Sequence, residues 1–281
     1  MEESKKIRPL LVLGAAGLAL ALSFGASYGS ALYGASAPDK GGAESQASVA
    51  PGELALRYKI PVTDTQPWRG PLDALVTVVE WCDLRGAACR AVDGTMRSLM
   101  KKYEGRLRWV HRHLPNPTHM AESRRSHEFA RGAFQHTNEP DKFWEVRERL
   151  LALPDDMVVG DDELRRIADE VGVDYTAIDK GVQGKLYSRG LGIDVAFAVK
   201  FGVKNEPTLF VDGRPVGHPP ADQLEPALRA LIDEELQAAQ QLVKQGVART
   251  EVYQTLIKDG RWSLDDDPSK RQATAPSAEK R

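Results

Sequence analysis

The sequence predicts an α/β fold in which a sheet is interrupted by a helical insertion, and three observations support this prediction. A β-branched strand at residues 75–81 is followed by a helix at 87–103 and a second strand at 107–113. A series of helical stretches then comes with no strand signal between them. A short strand pair and a long Ala- and Leu-rich helix complete the order.

The elements after the second strand are predicted in chain order from periodicity and turn residues. The insertion helices are expected at about residues 118–135, 141–151, 161–171 and 175–201, the last interrupted by several glycines. After them we expect a strand at 209–211, an Asp-Gly turn, a return strand at 214–216, and helices at 223–244 and 250–258.

The first 40 residues differ in composition from the rest of the chain. A basic flank at residues 1–8 precedes a stretch at 9–33 without Asp, Glu, Lys or Arg, which is long enough for a transmembrane anchor. The positive flank leaves the N-terminus in the cytoplasm and exports the rest of the chain. A cleaved signal segment is the alternative, because Ala35-Ser36-Ala37 has the spacing of a cleavage site, although Pro38 directly after it argues against cleavage there.

The exported part is predicted to contain one main folded domain. Residues 34–53 read as a flexible linker, residues 54–245 as the domain, with its insertion at about 117–200, and residues 246–264 as a C-terminal helical extension. The polar tail at residues 265–281 is predicted to be disordered. The net charge of −2, from 38 basic and 40 acidic side chains, gives no electrostatic reason to expect a nucleic-acid partner.

Four segments, in the same order, resemble the DsbA-like thioredoxin family. Residues 78–89 (VVEWCDLRGAAC) resemble its active-site entry VVEFxDFxCPxC, and residues 112–119 (RHLPNPTH) resemble RHFPLPxH. Residues 142–145 (KFWE) match KFWE, and residues 202–213 (GVKNEPTLFVDG) are similar to GVxGTPTFFxNG, which carries a cis-proline at the position of Pro207. The resemblance implies a thioredoxin-like fold with a helical insertion and thiol–disulfide exchange on exported proteins.

The chain departs from the family pattern at the active site. The family's nucleophilic first cysteine is favoured as a thiolate by a helix N-terminus, but Gly86 stands at that position. The second cysteine remains as Cys89, and Cys82 occupies a strand-end position that is usually small or polar. Asn205-Glu206 replaces Gly-Thr beside the proline, and an acid there raises the pKa of a nearby thiol. These changes predict weakened or lost dithiol activity.

The two cysteines leave three interpretations open. They form a displaced redox pair with a disulfide, which requires Cα atoms within about 7 Å. Alternatively, Cys82 is a single reactive thiol without a resolving partner. The interpretation that the sequence favours is that both are small buried fillers, and that the cis-proline groove remains as a surface for extended peptides.

The candidate site residues come from the same alignment of motifs. Glu80 resembles the family's buried proton-transferring acid, although a structural carboxylate is the more ordinary interpretation. Glu206 is predicted to place its carboxylate at the N-terminus of the helix that begins at Ala87. The catalytic candidates are Cys89, Cys82, Glu80 and Pro207, and the substrate-binding candidates are Gly86, Ala87, Ala88, Glu206 and Pro207.

A metal site is considered and not predicted. His111 and His113 share one strand face and His119 lies a little beyond, but no acidic or thiol ligand has metal spacing nearby. His113 and His119 also match the family pattern. No cofactor is predicted either.

The resulting prediction is a bacterial inner-membrane protein with a single span and its domain in the periplasm, or a secreted or periplasmic protein if the N-terminus is cleaved. Its expected partners are exported proteins or peptides, a membrane redox protein, and the membrane itself through the N-terminal helix. The alternative function is a non-catalytic, chaperone-like module that binds peptides in the cis-proline groove.

Overall fold

The computed structural model describes residues 56–266 of the chain, apart from the side chain of His119. The predicted N-terminal flank, the anchor or signal segment, the linker and most of the polar tail lie outside these residues. Among the residues described, no helix combines the length and the apolar character needed to cross a membrane.

A mixed five-stranded sheet forms the centre of the fold, in the order β1-β3-β2-β4-β5. Strands β2 and β3 are parallel, and the other neighbours are antiparallel. Every residue of β2 is buried, because helices cover both faces of the sheet, which explains its continuous apolar and β-branched run. The strands are β1 Trp68–Arg69, β2 Val76–Cys82, β3 Leu107–His113, β4 Thr208–Val211 and β5 Arg214–Pro215.

Eight α-helices accompany this sheet within the described range. They are α1 Ala87–Lys102, α2 Met120–Thr137, α3 Pro140–Ala152, α4 Asp161–Val171, α5 Tyr175–Gln183, α6 Ser188–Lys200, α7 Leu224–Lys244 and α8 Val252–Ile257. Helices α2 to α6 lie between β3 and β4 in the chain, so the predicted thioredoxin-like α/β fold with a helical insertion is confirmed.

Two details differ from the prediction. The stretch expected as one broken helix at 175–201 is two helices, α5 and α6, because the chain turns between them with Lys185 at a positive φ of 58°. Strand β1 is absent from the prediction, since two residues are too short to give a periodic signal; it pairs with β3 through Trp68 and Val110.

The alternation of side chains along β2 divides the core into two faces. Val76 and Val78 pack with Trp109 in the larger cluster, beneath helices that include α1 and α3. Val79 and Trp81 point to the opposite face and pack in a second cluster that includes residues of α6. Glu80 and Cys82 alternate with these residues, so they point towards the face that carries α1 and the insertion.

Candidate functional site

A disulfide joins the end of β2 to the first turn of α1. Cys82 and Cys89 are bonded, with their Cα atoms 5.9 Å apart, because the turn at residues 83–86 folds the start of α1 back over the strand end. Both side chains have no exposed surface, and they pack with Leu151 of α3. The structure agrees with the first of the three interpretations, in which the two cysteines form a disulfide. It disagrees with the interpretation that the sequence favoured, in which both cysteines are unpaired fillers.

Gly86 is the N-cap of α1 and lies next to the sulfur of Cys89. A Cβ built on Gly86 stands 3.3 Å from Sγ and 3.5 Å from Cβ of Cys89. Since disulfide-bonded Cβ atoms are about 3.5–4.5 Å apart, a cysteine at this position would be placed to bond Cys89. The structure thus leaves room at Gly86 for a side chain that could reach the sulfur of Cys89.

Glu206 does not cap α1, contrary to the prediction. Gly86, the N-cap residue, has no side chain to cap the helix, and among the described hydrogen bonds none joins Glu206 to α1. The Oε1 atom of Glu206 instead accepts a hydrogen bond of 3.2 Å from the side-chain amide of Asn116. Burial, reinforced by the negative charge of Asp83, raises the pKa of Glu206 to about 7. The peptide bond between Glu206 and Pro207 is cis, as the resemblance implied.

Asp83 ties together the segments around the disulfide. Its carboxylate accepts hydrogen bonds from the Ser123 hydroxyl at 2.7 Å and from the backbone N–H groups of Asn116 at 2.6 Å and Arg85 at 2.7 Å. Burial opposes its ionisation, but these bonds and the nearby ring of His127 lower the pKa of Asp83 below its usual range. Asp83 is not among the predicted site residues; its place directly after a strand-end cysteine is the signal that could have identified it.

Glu80 is a fully buried carboxylate held by two neighbours. It accepts hydrogen bonds from Nε1 of Trp109 at 2.7 Å and from the Arg147 guanidinium at 3.1 Å, and Arg147 also pairs with Asp93. Burial opposes ionisation, but Arg147 and the bonds lower the pKa of Glu80. A carboxylate held ionised in this way matches the structural interpretation better than that of a proton carrier at neutral pH.

Two arginines attach the chain segment after α3 to the start of α1. The Arg85 guanidinium donates to the carbonyl oxygens of Leu150 at 2.9 Å and Met157 at 2.9 Å. Arg90 donates to the carbonyl oxygen of Leu153 at 3.1 Å and to the carboxylate of Asp155 at 2.8 Å. We call residues 153–158 the cover segment; it follows Leu151, which packs against both cysteines.

A pocket of about 270 Å³ lies between the Gly86 turn and the cover segment. Its lining includes Asp83, Asn116 and the exposed Val158. Of the predicted substrate-binding residues, only Gly86 lines this pocket, while Ala87 and Ala88 lie exposed on the first turn of α1.

Three buried histidines form a cluster on the same face of the sheet. His111 and His113 come from β3, as expected, and the third ring is that of His127 of α2; the side chain of His119 lies outside the described residues. Nδ1 of His113 lies 2.8 Å from Nδ1 of His127. His127 shares the buried stripe of α2 with Ser123, Ala130 and Phe134, and this helical spacing is the signal that could have identified it.

Comparisons with known proteins agree with this architecture. A family model described as thioredoxin matches residues 62–234, which is more than half of the chain. The structure of oxidised BdbD from Bacillus subtilis is similar with a TM-score of 0.56 at 19% identity, covering 65% of this chain and 98% of BdbD. The thiol–disulfide exchange protein α-DsbA2 from Wolbachia pipientis is similar with a TM-score of 0.51 at 17% identity, covering 60% of this chain and 87% of that protein.

The curated relatives that the chain matches are described as antiporters, and the match covers only a part of each. A Na⁺/H⁺ antiporter, NhaA 3 of Salinispora tropica, is 30% identical over 163 residues, which are 58% of this chain and 24% of the antiporter. The chain therefore spans about a quarter of the length of the curated relatives that it matches.

Proposed function

The chain belongs to the thioredoxin family with a DsbA-like fold, and from this membership we propose that it is an exported thiol–disulfide protein whose redox pair is Cys82 and Cys89. The observation that carries the proposal is the disulfide between the strand end and the first turn of α1. Cys89 retains the position of the family's second cysteine, and Cys82 supplies the sulfur that Gly86 lacks.

Burial of both sulfur atoms supports an activity that is slow compared with an exposed two-cysteine motif. In exchange, an incoming thiolate attacks one sulfur, a mixed disulfide forms, and the other cysteine leaves as a thiolate. A second thiolate from the client then attacks the mixed disulfide, so the client is oxidised by two electrons and this chain is reduced. The attack requires an approach along the sulfur–sulfur axis, but both cysteines are fully buried and Leu151 packs against them.

The direct test is single-turnover oxidation of a reduced two-cysteine peptide by an excess of the full chain. The wild-type chain should form the peptide disulfide and gain two free thiols, with a rate that rises in mild denaturant as the cover segment opens. Cys82→Ser/Cys89→Ser should form none. The proposal is contradicted if Cys82 and Cys89 stay oxidised and the peptide stays reduced, both with and without mild denaturant.

A second function, peptide binding without chemistry, is favoured by a separate observation. The pocket beside Gly86 is open to solvent although both sulfur atoms are shielded, and the cis-proline loop at Glu206 and Pro207 contacts the same region through Asn116. Cys82→Ser/Cys89→Ser separates the two functions, because it removes exchange and leaves the surface intact. Unchanged affinity of this variant for an extended peptide would favour the binding module.

We also propose that the domain works in the periplasm, attached to the inner membrane by residues 9–33, with a membrane redox protein as its exchange partner. The uncharged N-terminal stretch and its basic flank support this topology. Protease added to intact spheroplasts should digest the domain and leave a membrane-bound fragment. Full protection of the domain would contradict export.

A further inference from the structure

The cluster of His111, His113 and His127 contains buried nitrogen atoms without partners. All three rings have no exposed surface. Within the described part of the chain, three of their ring nitrogens have no hydrogen-bond partner: Nδ1 and Nε2 of His111 and Nε2 of His113. Buried polar atoms in native proteins are nearly always bonded to protein, water or an ion, so this arrangement calls for a ligand.

The donor atoms are close enough together to share one metal ion. One nitrogen from each ring lies within 4.8 Å of the others, and all three rings are buried. Imidazole nitrogen is a common ligand of zinc in proteins.

A carboxylate stands behind two of the three rings. Oδ1 of Asp83 is 3.5 Å from Nε2 of His127, which accepts a hydrogen bond of 3.4 Å from the backbone N–H of Leu84. Oε2 of Glu80 is 3.9 Å from Nδ1 of His111. Carboxylates near the outer nitrogen of a ligating imidazole are common around protein zinc sites.

We propose that His111, His113 and His127 bind one zinc ion, as a site distinct from the disulfide. Three imidazoles suit zinc and exclude magnesium or calcium, which take oxygen ligands. Zinc–nitrogen distances of about 2.0–2.1 Å place two nitrogens of a tetrahedral site about 3.3 Å apart, so small ring rotations from the 4.8 Å spread suffice. The hydrogen bond between His113 and His127 is replaced by the ion.

Burial of the cluster determines when the ion binds. Since none of the three rings has exposed surface, the folded chain closes the site, and the ion enters while the chain folds. The ion therefore stabilises the folded state and exchanges slowly with a chelator.

The test is refolding of the full chain, purified in detergent without a histidine tag, in the presence and absence of Zn²⁺. After removal of loose metal by a chelating resin, about one zinc ion per chain should remain, and the melting temperature should exceed that of the metal-free chain. X-ray absorption at the zinc edge should report imidazole ligands and no sulfur, because both cysteines are in the disulfide.

Matched variants assign the ion to the cluster. His111→Phe keeps an aromatic ring against Phe143, 4.8 Å away, and His127→Gln keeps a polar side chain; each should reduce retained zinc at least about tenfold. His136→Asn, on an exposed position of the same helix α2, should retain the wild-type amount. Correctly folded wild-type chain that holds no zinc after refolding, or zinc bound without imidazole ligands, overturns the proposal even if a variant fails to fold.

Discussion

At the scale of single residues, Gly86 and Glu206 decide the chemistry available near α1. Gly86 has no side chain, yet its position relative to Cys89 is suited to a disulfide. Glu206 is a half-buried acid whose ionisation is opposed by burial and by Asp83. The motif predicts that Gly86 stands where the family has its first cysteine, and single substitutions at both residues can test their roles.

Restoring the missing sulfur should restore exchange. Cys82→Ala/Gly86→Cys should form a bond to Cys89 and oxidise a reduced peptide at least about tenfold faster than the wild-type chain, because the new sulfur lies at the pocket. Adding Glu206→Thr should increase the rate further above pH 7, where Glu206 is ionised, and little at pH 6. Glu104→Thr, an exposed acid, serves as the control. Equal rates with and without Glu206→Thr at pH 8 would contradict the role given to this carboxylate.

The same residue should make stability depend on pH. The pKa of Glu206 rises from 4.5 in the unfolded chain to about 7 when folded, so its contribution is present below pH 4.5 and is lost as pH rises through 7. Glu206→Gln should exceed wild type by about 1–2 kcal/mol at pH 8, after allowance for solvent screening, and by little at pH 4. Urea unfolding at both pH values measures the difference, with Glu104→Gln as the control. A constant difference across pH would count against the shifted pKa.

At the scale of elements, the parallel pair β2 and β3 and the helix α1 build the site between them. The carboxyl ends of the two strands bring Cys82 beside His113 in register, and α1 returns Cys89 to the same point. Leu151 of α3 packs against the two cysteines, and the loop after α3 is held to α1 by guanidinium groups on backbone carbonyls. We therefore expect access to the disulfide to depend on the packing of α3 and its cover segment.

Releasing the cover segment should expose the disulfide. Arg85→Ala removes charged hydrogen bonds to the carbonyl oxygens of Leu150 and Met157, each worth about 1.5–3 kcal/mol before solvent replaces it. Reduction by excess dithiothreitol, monitored through the appearance of free thiols, should be about tenfold faster than in wild type. This corresponds to a change of about 1.4 kcal/mol in the free energy of opening the cover segment. Arg166→Ala, whose partners are Glu163 and Glu170 on its own helix α4, should leave the rate unchanged. An unaltered rate in a normally folded Arg85 variant would mean that another element controls access.

At the scale of the whole molecule, the C-terminal extension is part of the folded unit. Tyr253 of α8 donates a hydrogen bond of 2.8 Å to the carbonyl oxygen of Ile60, and the backbone of Lys59 bonds Arg261 at 2.7 Å. Val252 and Ile257 are buried with it. The extension therefore closes the structure against the first described residues of the chain.

Removing the extension should destabilise the domain. Truncation after Gln245 removes the buried side chains of Val252, Tyr253 and Ile257, and the burial of each contributes about 1.5–3 kcal/mol. Because the unfolded chain already buries part of this surface, we expect a loss of about 3–6 kcal/mol in the free energy of unfolding. Urea unfolding measures the free energy of unfolding of the full chain and of the chain truncated after Gln245. A chain ending at Asp266, which keeps the extension, is the control. A truncated chain as stable as the full one would show that the extension is only attached to the surface.

The sequence by itself determined the fold class. The β-branched run of β2 and the periodic insertion helices are local signals that propensity and burial patterns suffice to place, whereas the cis bond before Pro207 was expected from the family resemblance. Only the tertiary structure decided that Cys82 bonds Cys89, that Glu206 turns to Asn116, and that His127 joins the strand histidines. These are contacts between elements distant in sequence or across a turn, and they depend on packing distances that no local pattern encodes.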